Sequence, residues 1–251
     1  MTLRSSRVAG FTLIEITVVL AVLAILATAI TPMILQQIVD AKMETTRKEA
    51  KLLAEAILGR PDVPGSFGFF GDMGRFPAGL QELNKPAVGT TFYSAETFRN
   101  VGMGWKGPYI NTGDTKADAF LDAFGREYQL TNIGQIRSAG SNGIFDDDDD
   151  VVYPPNPPVP YGRVLVTVKR LDAVGAGFTL DPVGYIVRIY YAQNGKETYL
   201  DDPIAPFVFD RVPQGVHAIV VLRGGNLAVG QDTIQVFGSG TSKLVEFVFR
   251  P

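Results

Sequence analysis

No cysteine occurs anywhere in the 251 residues. That excludes disulfide staples, thiol nucleophiles and thiolate metal sites together, and leaves stability to packing or to a hard cation. Histidine is almost as scarce: His217 is the single one. A multi-histidine metal site within one chain is thereby ruled out, and the supply for hydrolase chemistry is thin. Charged residues amount to 20% and the net charge is −3, so no nucleic-acid partner is indicated. Charge is missing altogether from one stretch, Ile16 to Val39. Its absence there is the first positive signal.

At 1.5 Å per helical residue that stretch is ~36 Å long, against ~30 Å of bilayer hydrocarbon. It spans a membrane with some margin. Pro32 lies inside it. A proline there removes one backbone donor, so a kink or a locally unwound turn is expected just before it. Glu15 stands at the head of the run. A carboxylate at mid-bilayer costs roughly 2.5–3.5 kcal/mol on insertion scales, so such an acid normally has a partner and a task.

The partner can be read from what precedes it. Met1 to Gly10 holds Arg4 and Arg7, no acid, and small residues at Ala9 and Gly10, which reads as the charged leader of an exported chain. Cleavage between Gly10 and Phe11 would leave the apolar helix attached and create an amine at Phe11. In a stagger of identical helices, Glu15 of one copy meets the Phe11 amine of the next. Removing one member of such a buried pair typically costs about 3–5 kcal/mol.

Gly10-Phe11-Thr12-Leu13-Ile14-Glu15 followed by an uninterrupted apolar helix resembles the leader of type IV pilins and type II secretion pseudopilins. The resemblance implies a membrane-embedded prepilin peptidase that cuts after Gly10 and N-methylates Phe11. It also implies a proline at the place of Pro32, where the helix loosens in the filament.

Beyond Asp40 the pattern becomes amphipathic. Val39, Met43, Thr46, Ala50, Leu53 and Ile57 recur at spacings of four and three, and Glu44, Arg47, Lys48 and Lys51 fall off that stripe. Gly59 and Pro61 close the helix. One helix from about Phe11 to Leu58 results, its upper half packing on a head. Within the head, Gly74-Arg75-Phe76-Pro77 with Gly79-Leu80-Gln81-Glu82-Leu83 reads as a turn into a short helix. Trp105 to Ile110 is an aromatic-flanked turn, and Asp122 to Tyr128 a tight turn entering a strand. In that order, ending in Ser138-Ala139-Gly140-Ser141-Asn142-Gly143, these segments resemble the head of the major pseudopilin over roughly Gly10 to Val152.

Five aspartates, Asp146 to Asp150, follow. Adjacent carboxylates repel, and a folded loop carrying five of them calls for a counter-ion. Calcium, with six to eight oxygen ligands, suits such a loop. The resemblance implies a structural calcium site here, with Asn142, Asp148 and Asp149 at the matching positions and Asp146 as an added ligand. A solvated acidic turn is the alternative.

Tyr153 to Pro160, with five prolines, is a stiff polyproline-like spacer and the best domain boundary. Alternating runs follow at Arg163–Arg170, Tyr185–Ala192, Phe207–Asp210, Val216–Arg223, Asp232–Phe237 and Lys243–Phe249, and Asn194-Gly195 is a hairpin turn signal. About five to seven strands make a small β-sandwich. Phe207 to Ala218 is similar to the strand turn of carboxypeptidase-regulatory, transthyretin-like domains. His217 is expected on a strand, facing a wet surface.

The expected class is α+β: leader 1–10, transmembrane and stalk helix 11–58, head 59–153, proline-rich linker 154–161 and β-sandwich 162–251. The function implied is a non-enzymatic subunit of a type II secretion pseudopilus, polymerising with itself. Its implied partners are the prepilin peptidase, the secretion inner-membrane platform and minor pseudopilins. Its implied location is the bacterial inner membrane, with the head in the periplasm. A type IV pilin with an adhesive outer domain and a membrane-anchored binding protein remain open beside it.

Overall fold

The computed structural model describes residues 12–60, 62–96, 99, 101–111, 118–171, 178–180, 183–225 and 227–249. The chain begins as α1, Leu13–Leu58, an unbroken helix that is ~69 Å long at the standard rise. Its apolar half has a mean hydropathy of 2.7 over the most apolar eighteen-residue window, and none of that window is buried. Among the described residues it is the one helix long and apolar enough to cross a membrane. The second half behaves differently. Thr46, Ala50, Leu53, Ala54 and Ile57 are buried on the stripe that the periodicity marks. Full burial of a Leu or Ile is worth ~1.5–3 kcal/mol, so this face binds the helix to the head.

Pro32 does not interrupt α1, whose helical assignment runs through it. The expected unwound turn is absent. One backbone donor is lost, while the Thr28 and Thr31 hydroxyls donate to the carbonyls of Ile25 and Ala27 in the turn before.

The head is assembled on the buried stripe of α1. It contains α2 (Gly68–Met73), a 3₁₀ turn at Leu80–Leu83, a two-stranded ribbon of β1 (Ser94–Glu96) and β2 (Val101–Met103), and an antiparallel sheet of β3 (Gln129–Leu130), β4 (Ile136–Ser138) and β5 (Val151–Tyr153). Phe69, Met73, Leu80, Leu83, Trp105, Tyr128, Ile136 and Val151 form its core with the helix residues. Tyr128 donates its hydroxyl to Thr46 O and Glu49 Oε2, and burial pushes that phenol well above its ordinary range.

After the linker comes a sandwich: β6 (Tyr161–Leu171), β7 (Phe178–Leu180), β8 (Tyr185–Gln193), β9 (Lys196–Asp202), β10 (Phe207–Pro213), β11 (Gly215–Arg223), β12 (Leu227–Val236) and β13 (Ser242–Phe249). One sheet has the order β10-β6-β13, with β7 also on β6; the other is β12-β11-β8-β9. All pairs are antiparallel except β13 with β6, which run parallel. Val164, Val166, Val187, Ile189, Phe207, Ile219 and Val221 fill the space between the sheets. The hairpin sits where Asn194-Gly195 places it, both residues having positive φ as a type I′ turn requires. The layout is α+β: a long N-terminal helix followed by a separate sheet-rich domain.

The proline segment is packed down as a strap. Gln135 donates to Pro154 O, Gln214 N to Pro160 O and Ser239 N to Val159 O. The sandwich lies against the head, with Val101 and Met103 packing on Ala192 and Ala218. Gly195 N donates to Met73 O at 2.8 Å, and Phe70 meets Tyr161 edge-on at 5.7 Å. The Arg99 guanidinium grips both oxygens of Glu197 and lies 4.2 Å from the Tyr190 ring centre.

His217 contradicts its expected wet setting, for it is 1% exposed. It shares the inward face of β11 with Ile219 and Val221, two residues apart in a strand. Nε2 lies 2.7 Å from Pro213 O and Nδ1 3.3 Å from Tyr190 O. Burial holds its pKa down to about 4, so the ring is neutral at physiological pH.

Candidate functional site

Two places carry the chemistry expected from the sequence, and the first is the start of α1. Thr12 is the N-cap: its hydroxyl accepts from Glu15 N at 3.3 Å, and Glu15 Oε2 accepts from Thr12 N and Thr12 Oγ, both at 3.0 Å. This reciprocal capping box satisfies amides that a helix N-terminus leaves open. The single acid of the apolar segment is thus held at the helix end, beside the positive end of the helix dipole. Gly10 and Phe11, the residues expected to flank the cleavage, lie outside the described residues. Leu13, Ile14, Ile16, Val18 and Val19 around Glu15 are all exposed in the single chain.

The second place is the acidic loop. A chain of hydrogen bonds ties it to α1. Ala123 N donates to Thr46 Oγ, and the buried Asp122 carboxylate accepts from Phe124 N, Arg126 N and Ser138 Oγ. Arg126 then donates to the carbonyls of Gly140 and Ser141. Asp149 Oδ2 closes the loop, accepting from Ser141 N at 2.7 Å, Ser141 Oγ at 2.6 Å and Asn142 N at 3.2 Å. Those bonds, the Ser141 hydroxyl foremost, hold the Asp149 pKa down to about 2. Asn142 is spent locally: its Oδ1 accepts from Ile144 N and its Nδ2 donates to Asp147 Oδ2.

Part of the counter-charge comes from inside the chain. Arg137 donates to Asp146 Oδ1 and to Asp150 Oδ2, each at 2.8 Å. Its significance was hidden in the sequence, because Arg137 reaches the loop only through the pairing of β4 with β5. Two oxygens, Asp149 Oδ1 and Asp150 Oδ1, are buried without a hydrogen-bond partner, and the Asp150 side chain is 7% exposed. Buried carboxylate oxygens left unsatisfied are costly. Acceptor capacity of this kind fits a hard cation or ordered water.

Of the four residues expected to bind calcium, Asn142 and Asp149 are brought together. Asp146 is drawn to Arg137 and Asp148 is exposed. Among the described residues, no group of three or more His, Cys, Asp or Glu side chains is arranged to hold a metal ion. The free acceptors belong to Asp149 and Asp150, one position further along than the pair Asp148 and Asp149.

Residues 5–31 match the prokaryotic N-terminal methylation motif. The match takes in Gly10, Phe11, Glu15 and the apolar first half of α1, and it supports a type IV pilin-like protein with a prepilin-type signal. No curated protein matches the chain.

Proposed function

We propose that this chain is a filament subunit of a type II secretion pseudopilus: the prepilin peptidase cuts after Gly10 and methylates Phe11, and α1 holds the mature chain in the inner membrane until it enters the filament. The observation that carries the reading is the placing of Glu15. It is the single acid at the head of an exposed apolar helix, inside the matched methylation motif. In an assembly of α1 helices, the Glu15 carboxylate of one copy takes the Phe11 amine of its neighbour, and two charges enter an apolar core as a neutral pair. The secretion platform and minor pseudopilins supply force and initiation, while heads and sandwiches lie on the outside. Structural subunits of this kind are ordinarily not enzymes.

Two measurements test this. Mass spectrometry of the mature chain is expected to find N-methylated phenylalanine first. Glu15→Val is expected to insert and fold but to stay out of filaments; normal filament incorporation of that variant would overturn the proposal. A surface-exposed type IV pilus is the second reading, favoured by the sandwich fixed to the head, which would give every subunit an outer lobe. Co-purification with a secretion platform, against display of intact filaments outside the cell, separates the two.

The acidic loop is proposed as a structural calcium site. Asp149 Oδ1 and Asp150 Oδ1, buried without a hydrogen-bond partner, support the idea as ligands. Bound calcium would supply positive charge to acids that Arg137 balances only in part.

A further inference from the structure

Each sheet of the sandwich ends in strands whose outer backbone groups face away from the sheet, and such edges are templates for another strand. Three of the four edges carry features that discourage pairing. β10 has a register break between Phe209 and Val212 and ends on Pro213. The pairing of β12 with β11 is broken at Val221/Leu222. β9 carries Lys196, Glu197, Asp201 and Asp202 in its short length.

β13 has no register break and no proline, and half as many charges as β9. Its register on β6 is unbroken from Ser242↔Arg163 to Phe249↔Arg170. Its sequence, SKLVEFVF, contains neither proline nor glycine and is rich in β-branched and aromatic residues. Lys243 and Glu246 are its only charges. Among the described residues no strand pairs with its outer edge. Leu244 is 62% exposed on the outward face and Val248 42%.

We infer that β13 is a self-association strand, pairing antiparallel with β13 of a second copy so that two sandwiches share one continuous sheet. Strand chemistry selects the register. Residues directly opposite in an antiparallel pair point to the same face, so a two-fold must pair even positions with even and odd with odd. Glu246 opposite Glu246 would set like charges against each other. Leu244 opposite Leu244 would leave Phe247 and Val248 unpaired. Placing Val245 opposite Val245 avoids both: Leu244 then faces Glu246 of the second copy, and Ser242 faces Val248. This contact is separate from the α1 bundle and goes beyond the filament reading.

The absence of cysteine makes the test clean. In the full chain in detergent micelles, Val245→Cys would set two thiols on the two-fold axis. The Cα separation there would be ~4.5–5.5 Å, within the ~4.4–6.8 Å that a disulfide bridges. Mild oxidation is expected to convert most of this variant to covalent dimer. Leu200→Cys, at the inward face of the charged edge strand β9, is expected to stay monomeric. Exposed Leu244 then reports the register. Leu244→Glu added to Val245→Cys opposes Glu246 and is expected to abolish the dimer; Leu244→Lys attracts Glu246 and is expected to keep it. All variants are made also with Glu15→Val, so that loss of helix-driven assembly leaves this readout untouched. Failure of Val245→Cys to cross-link beyond Leu200→Cys, or equal cross-linking with glutamate and lysine at 244, overturns the inference.

Discussion

Gln214, in the turn from β10 to β11, donates its side-chain amide to the carbonyl of Leu58, the last residue of α1, at 2.6 Å, and to Phe67 O at 3.3 Å. The sandwich therefore caps the stalk helix. The last carbonyls of a helix lack intrahelical partners, and here a residue 156 positions further along supplies one. The second domain is part of the head's own hydrogen bonding, and a pull on either is shared by both.

Removing that cap gives the first prediction. Gln214→Ala leaves Leu58 O and Phe67 O without this donor in a mostly buried place, at a cost of about 1–3 kcal/mol. The expected outcome is a lower melting temperature and faster amide exchange at the C-terminal turn of α1, with the sandwich core unchanged. Exchange that rises equally in β11 and in α1 would show that the cap has no local role.

A second prediction concerns the seam between the domains. Gly74 has φ +67° and closes α2; a Cβ there would run into the backbone carbonyl of Ala192 in β8. Gly74→Ala meets both an unfavourable left-handed backbone and a steric conflict that no side-chain rotation relieves. It is expected to loosen the sandwich from the head without unfolding either, read as new protease cleavage near residues 154–160. Gly125→Ala also has positive φ but open space around it. It is expected to be milder and to leave that linker protected.

The third prediction follows from Asp72, in α2. Burial raises its carboxyl pKa to about 6, against opposing effects from the Tyr109 hydroxyl, which donates to it at 2.9 Å, and from nearby Lys106. The folded state thus holds this proton more tightly than the unfolded chain, whose carboxyl titrates near 4. Linkage then makes stability fall as pH rises from about 4 to about 6, by up to roughly 3 kcal/mol. Asp72→Asn keeps an acceptor for Tyr109 and removes the titration. Chemical denaturation at pH 4.5 and pH 7.5 is expected to show a smaller loss between the two in the variant; an unchanged difference would exclude Asp72 as its source.

The acidic loop gives the fourth. If calcium occupies it, chelation lowers the melting temperature of the full chain. Asp149→Asn is expected to abolish that response and Asp148→Asn to leave it intact, since Asp148 is exposed. Identical melting with and without chelator would reject the ion. Asp150→Asn is informative in another way: Asp150 also accepts from Arg137, so its loss is expected to lower stability even in chelator.

Much of this architecture is legible in the residue order. The stripe Thr46, Ala50, Leu53, Ile57 specifies the face of α1 that is buried, because helical period and side-chain polarity act locally. Alternation marks six of the sandwich strands and Asn194-Gly195 their hairpin. Strand β9 escapes that reading, since an exposed edge tolerates the charges of Lys196–Asp202. The burial of His217 escapes it as well: in Val216-His217-Ala218-Ile219-Val220-Val221 nearly every neighbour is apolar, so alternation marks no inward face.

The order of residues by itself determined the apolar anchor, the acid at its head, the amphipathic stalk and the presence of a β-rich second domain. These follow from local periodicity and from the transfer energies of single side chains, which need no partner distant in sequence. Only the folded structure decided that the proline segment is strapped down, that Gln214 ends the stalk helix, that Arg137 neutralises part of the acidic run, and that among the described residues β13 is left as an open edge. Each of those depends on which distant backbone and side-chain groups come within hydrogen-bonding reach, a matter of three-dimensional closure that no local pattern encodes.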